Sequence, residues 1–149
     1  MDKDGDKNSH KNLSLIFLDI DHFKNTNDIH GHVKGDEVLR DIAGVIQRFV
    51  RTADYPCRIG GDEFAVTMPH TDLEGAERVA ERIRRRLGEI PFDAGGGKLF
   101  FVSLSIGIAR YIEGELGESL LTSADQALYL AKAQGRNKTV IAPTDCKSM

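Results

Sequence analysis

The chain has 149 residues, 40% of them hydrophobic and 29% charged, with a formal net charge of −3. That balance fits one soluble globular domain large enough to bury a core, and it excludes the disordered and fibrous classes. It also argues against a general nucleic-acid binder, which needs a strongly basic face. No apolar run reaches the length of a membrane span and no secretory signal opens the chain. Cys57 and Cys146 lie far apart without metal-ligand spacing, as expected in a reduced cytosolic setting.

Met1 to Asn12 is polar and charged and reads as a flexible leader, which leaves one domain over 13–149. Leu13-Ser-Leu-Ile-Phe-Leu-Asp-Ile20 is an apolar run of strand length, predicted to be a buried central strand that delivers Asp19 and Asp21 at its C-terminal end. A loop with Gly31 and Gly35 is expected next. Asp36 would then cap a helix patterned by Val38, Leu39, Ile42, Val45, Ile46 and Phe49 and stopped before Pro56. Cys57–Ile59 and Phe64–Met68 flank Gly60-Gly61-Asp62-Glu63, which predicts a β-hairpin. Thr71 and Glu74 have capping-box spacing ahead of a helix with an apolar stripe from Leu73 to Leu87. The opposite face of that helix carries Arg78, Arg82 and the run Arg84–Arg86, the run being read as solvated. Phe100–Ala109 is predicted as a strand, Leu120–Ala133 as a helix ended by Gly135, and Thr139–Ala142 as a last short strand. Helices and strands alternating around a hairpin predict an α/β sandwich with a mixed sheet.

Chemistry concentrates at Asp19 and Asp62. If their strands pair, two carboxylates converge on one rim of the sheet, and hard divalent cations such as Mg²⁺ combine one or two protein carboxylates with substrate phosphates. Gly60 and Gly61 would let a triphosphate approach the backbone closely. Gly-Gly-Asp is also ordinary hairpin chemistry, so spacing alone leaves an acidic surface turn open. Lys132 and Arg136, four residues apart, would share a helix face suited to phosphate, or simply complement the helix C-terminus. Arg51 and Asp54 are three apart, a spacing common in surface ion pairs.

Gly60-Gly61-Asp62-Glu63-Phe64 resembles the signature of the GGDEF family of diguanylate cyclases. Asp19-Ile-Asp-His-Phe-Lys-Asn-Thr-Asn-Asp28, Gly31-His32, Gly35-Asp36 and Ala124 to Asn137 resemble that family in the same order, so the likeness runs from about Leu13 to Val140. It implies a nucleotide-cyclase or palm-like mixed central sheet flanked by helices, with the hairpin carrying the signature. It implies the joining of two GTP into cyclic di-GMP with release of two pyrophosphates, using two Mg²⁺ or Mn²⁺ per active site. Asp19, the main-chain carbonyl of Ile20, and Asp62 would hold the metals, and Asp62, Glu63 and Lys24 would be catalytic. Asn27 and Asp36 would read guanine, whose N1 and N2 donors a carboxylate accepts, while adenine offers an acceptor at N1. Phe23 (through its backbone), Lys24, Lys132 and Arg136 would bind phosphate. Arg51 and Asp54, completed by Arg82 or Arg78, would form an inhibitory site for the cyclic product.

The partners so implied are GTP, cyclic di-GMP and a second copy of the chain, with no nucleic acid and no membrane in this segment. The implied location is the bacterial cytoplasm, alone or as the cytosolic part of a larger sensor. The family's Asp-x-Leu-Thr-Gly-Leu-x-Asn-Arg segment and first helix are missing ahead of the first strand, as is an upstream sensor domain. An apolar sheet face left exposed is therefore expected. Two other readings stand beside the enzyme: a receptor that holds GTP or cyclic di-GMP without turnover, and a different palm-type nucleotidyl transferase or adenylyl-type cyclase. The guanine-reading pair disfavours the last.

Overall fold

The computed structural model describes residues 12–143. In chain order its elements are β1 (Leu13–Ile20), α1 (Phe23–His30), α2 (His32–Phe49), β2 (Tyr55–Gly60), β3 (Glu63–Pro69), α3 (Leu73–Gly88), β4 (Phe92–Gly95), β5 (Lys98–Phe100), β6 (Leu104–Arg110), α4 (Gly117–Ala133) and β7 (Lys138–Ile141). Five strands form one sheet in the order β2-β3-β1-β6-β7. All neighbours in it are antiparallel except β6 and β7, which are parallel and joined through α4. The sheet is mixed, as the sequence pattern predicts.

β1 lies at the centre and is buried on both faces, which is why its sequence is a continuous apolar run instead of an alternation. Ile16, Leu18 and Ile20 pack with Val38, Ile42 and Ile46 of α2 and Ala76, Ala80, Ile83 and Leu87 of α3. On the other face Leu15, Ala65 and Ala109 meet Leu120, Ala124 and Ala127 of α4. Close approach there depends on Gly107: a Cβ at this position would stand 2.3 Å from the Leu128 nitrogen and 2.4 Å from the Ala124 carbonyl oxygen, both rigid backbone. β2 at the sheet edge leaves Tyr55 67% and Ile59 54% exposed. These side chains form a short apolar strip along one edge strand.

Several boundaries differ from the sequence reading. The expected loop around Gly31 is two helices meeting at Gly31, whose φ of +89° turns the chain between them. Asp36 therefore sits inside α2 and does not cap it. The cap of α3 is Asp72, whose carboxylate accepts from the Gly75 N–H at 2.8 Å, so the Thr71–Glu74 capping box does not form. The Phe100–Ala109 strand divides: β5 pairs with the unforeseen β4 in a separate hairpin, and β6 begins at Leu104. Glycines at 95–97, all with positive φ, make the turn of that hairpin. The first eleven residues and Cys146 lie outside the described residues.

Candidate active site

Register decides which side chains meet. Antiparallel pairing places Asp19 opposite Glu63, and the Ile20 N–H donates to the Asp62 carbonyl at 3.3 Å. The end of β1 is thus fastened to the tip of the β2–β3 turn, where Gly61 takes φ +49°. Arg58, which the sequence reading passed over, holds the same turn: its Nε and Nη2 donate to the Gly61 carbonyl at 3.0 and 2.6 Å.

Asp19 is 6% exposed, and its Oδ1 is buried without a hydrogen-bond partner. Its other oxygen is paired with the Lys132 ammonium. Burial, and then the neighbouring Asp62 carboxylate, push the Asp19 carboxyl up to about 6 even though Lys132 pulls the other way. Two carboxylates crowded together with an oxygen unsatisfied form a site that gains from a cation. The donor set, two carboxylates beside the main chain at Ile20, is all oxygen and fits a hard divalent ion. Among the described residues no three His, Cys, Asp or Glu side chains gather at one point, so the balance of coordination would fall to water and substrate, as is usual for magnesium.

Asp21, two residues on, is used differently. Its oxygens accept from Ser103 Oγ and Ser105 Oγ, each at 2.6 Å, and from the Asn137 N–H at 3.0 Å. The two acids at the end of β1 therefore divide into one fully satisfied by the fold and one left open.

The side chain of Asn27, on α1, packs against Gly35 of α2. A Cβ on Gly35 would come within 1.8 Å of Asn27 Oδ1, an atom that is itself buried and unpartnered. Gly35 was read as a loop residue, yet it makes room for this amide. The next residue, Asp36, is exposed and lines a cavity of about 670 Å³ together with Leu39, Arg40, Arg58 and Phe64. Phe23 and Lys24 open α1, whose N-cap is His22 with φ +55° and no capping side chain.

Lys132 reaches the site from the last turn of α4, but Arg136 does not share its helix face. The helix ends at Ala133, Gly135 takes φ +112°, and the Arg136 N–H bonds back to the Ala131 carbonyl at 2.9 Å, so Arg136 lies in the turn beyond. Arg51 and Asp54 do form a local pair: the Arg51 N–H donates to Asp54 Oδ2 at 2.8 Å and its Nη2 to Oδ1 at 3.4 Å, while the same Nη2 also bonds Thr71. Arg78 and Arg82 line a separate depression with Glu77, Glu81 and Arg85. Arg84, expected in a solvated face, is half-buried and fully engaged with Glu81 and Asn137.

A mixed sheet whose central strand ends in an open carboxylate, set beside a glycine turn carrying a second, offers the kind of oxygen donor set that metal-assisted phosphoryl transfer uses. The model of the "Diguanylate cyclase, GGDEF domain" family matches residues 3–138, and the chain belongs to that family. It is 48% identical over 130 residues to the response regulator PleD of Caulobacter vibrioides, covering 86% of this chain and 29% of PleD. It is 44% identical over 130 residues to the diguanylate cyclase DgcP of Pseudomonas aeruginosa, covering 87% of this chain and 19% of DgcP. The chain thus spans less than a third of the length of these relatives. Among solved structures, the active GGEEF domain of a Vibrio cholerae diguanylate cyclase superposes with a TM-score of 0.85 at 36% identity, over 93% of this chain and 88% of that one. The GGDEF domain of DgcB from Caulobacter crescentus, solved with c-di-GMP, gives a TM-score of 0.84 at 32% identity, over 93% and 84% of the two chains.

An acid whose folded pKa lies above its ordinary value holds its proton in the fold. Its share of stability is complete below pH 3.8 and is lost as pH rises through about 6. Asp19→Asn, which keeps an acceptor for Lys132, is therefore expected to raise the melting temperature of the metal-free protein at pH 7 by a few degrees and to lose that advantage by pH 4. Thermal melts in chelator across that range check it; a variant that melts lower at pH 7 contradicts the raised pKa.

Proposed function

We propose that this domain is a diguanylate cyclase that condenses two GTP into cyclic di-GMP and releases two pyrophosphates. The observation that carries the reading is the meeting of Asp19 and Asp62 at one sheet rim, with an Asp19 oxygen left unpartnered. Asp19, Asp62 and the Ile20 carbonyl would hold two Mg²⁺ or Mn²⁺ ions. Bound there, such ions lower the pKa of an attacking hydroxyl and neutralise charge on the phosphates.

The chain's own residues do the rest. Asn27 and Asp36 accept hydrogen bonds from guanine, with the base entering the cavity over Leu39. Lys24 and the uncapped first turn of α1 at Phe23 meet the phosphate chain, since unpaired N–H groups at a helix start favour anions. Lys132, free to leave Asp19 once a cation arrives, turns with Arg136 to the β- and γ-phosphates. Glu63, opposite Asp19, supports the metal site or takes the proton of the ribose 3′-hydroxyl that attacks the other α-phosphate.

One rim holds one GTP, so two copies must face each other antiparallel, and alignment of the two nucleotides replaces an improbable encounter in water. Product inhibition would act through Arg51 and Asp54 with Arg82 or Arg78; in this structure Arg51 is tied to Asp54 and Thr71, so it must release Thr71 to take a ligand. Among the described residues no helix is long and apolar enough to cross a membrane, and we place the domain in the bacterial cytoplasm.

The purified chain with GTP and Mg²⁺ is expected to release pyrophosphate and form cyclic di-GMP, and Asp62→Ala to abolish both while keeping the wild-type circular dichroism. Binding of GTP without product from the wild type would instead make the domain a receptor. Gly35→Ala, which drives the Asn27 amide from its place, is expected to weaken GTP binding roughly tenfold in calorimetry with little change in melting temperature. Unchanged affinity would remove Asn27 from the guanine pocket.

A further inference from the structure

The turn after α4 holds three successive residues with positive φ: Gly135 at +112°, Arg136 at +65° and Asn137 at +49°. Glycine adopts this region freely and asparagine tolerates it, but arginine is strained there. Such a conformation persists only where surrounding structure over-determines it, and it recurs where function needs a side chain aimed.

The over-determination is visible atom by atom. The Asn137 N–H is fixed by Asp21 at the end of β1, at 3.0 Å. The Asn137 carbonyl and its side-chain oxygen accept from Arg84 Nη1 of α3 at 3.3 and 2.9 Å. Arg84 is itself immobilised: its Nε and Nη2 form a two-pronged pair with Glu81, each at 2.8 Å, and Glu81 accepts a further bond from Thr139 of β7 at 2.7 Å. The pairing with Arg84 holds the Glu81 carboxyl down to about 2. Only a planar guanidinium can bind a carboxylate with one edge and present its remaining N–H groups to a second partner.

We propose that Asn137 and Arg84 are positioning residues for the phosphate clamp: through Asp21 and Glu81 they lock the left-handed turn that aims Arg136 alongside Lys132. The assignment rests on the proposed binding of GTP at this rim. Arg84 touches neither the carboxylate pair nor the guanine cavity, and its effect on nucleotide passes through Asn137, by way of both its carbonyl and its side-chain oxygen. The clamp is therefore supported by α3, the end of β1, the turn after α4 and β7, and its aim is set by a residue outside the nucleotide pocket.

The test compares GTP with guanosine, which has the same base and sugar but no phosphates, by calorimetry on the full chain. Arg84→Lys and Asn137→Gly are expected to lower GTP affinity roughly tenfold while leaving guanosine affinity unchanged. Asn137→Asp, which tolerates the left-handed backbone and keeps an acceptor for Arg84, is expected to restore GTP affinity to near the wild-type value. Equal losses for GTP and guanosine, tracking the melting temperature, would reduce the network to general stability and overturn the proposal. So would wild-type GTP affinity in Arg84→Lys and Asn137→Gly. A wild type that itself fails to bind GTP would sink the functional reading first, and would be recognised before any variant was compared.

Discussion

Everything at the rim depends on how β1 is registered against β3. Pairing of Asp19 with Glu63, continued by the bond from the Ile20 N–H to the Asp62 carbonyl, places a carboxylate from the first strand beside one from the hairpin turn. A slip of one residue would invert every side chain of β1, sending Ile16, Leu18 and Ile20 out of their core and Asp19 into it. The hydrophobic pattern that folds the sheet is therefore the same pattern that assembles the site. Gly107 serves this arrangement from the far side by letting α4 lie close enough for Lys132 to reach Asp19.

The electrostatics follow from that convergence. Folding would normally neutralise or satisfy a buried acid, as it does for Asp21 with two hydroxyls and a backbone N–H. At Asp19 it stops short, leaving one oxygen bare, one held by a lysine and a second carboxylate nearby. The charge balance is incomplete in a way that a divalent cation would correct, and correction would release Lys132 for phosphate. A buried carboxylate oxygen left without a partner costs the metal-free fold stability.

Much of this was legible in the sequence. The apolar run before Asp19 and the strand-turn-strand around Gly60-Gly61 determine the pairing, and the separated motifs identify the family. What stayed hidden needed tertiary information. Asp36 looked like a cap because its own residue type favours that role, whereas α2 starts at His32 after a cap at Gly31, and Gly35 within it leaves the space that Asn27 fills. Arg136 looked like a helix-face residue because spacing carries no sign of the left-handed turn, though Gly135 hinted at it. Arg84 was hidden in an arginine run, where three like residues have one pattern and three different environments. Thr71 was read as a cap, whereas its hydroxyl is committed to Arg51 and the Pro69 carbonyl.

On this reading Asp19 and Asp62 together form one cation-seeking edge. Carbon-13 NMR titration of the Asp19 side-chain carboxyl, in chelator and then in saturating Mg²⁺ with GTP, tests it most directly. A midpoint near the raised value of about 6 is expected without metal, falling below the ordinary 3.8 once the ion and nucleotide bind. A midpoint near 3.8 without metal that does not move when Mg²⁺ and GTP are added would contradict it.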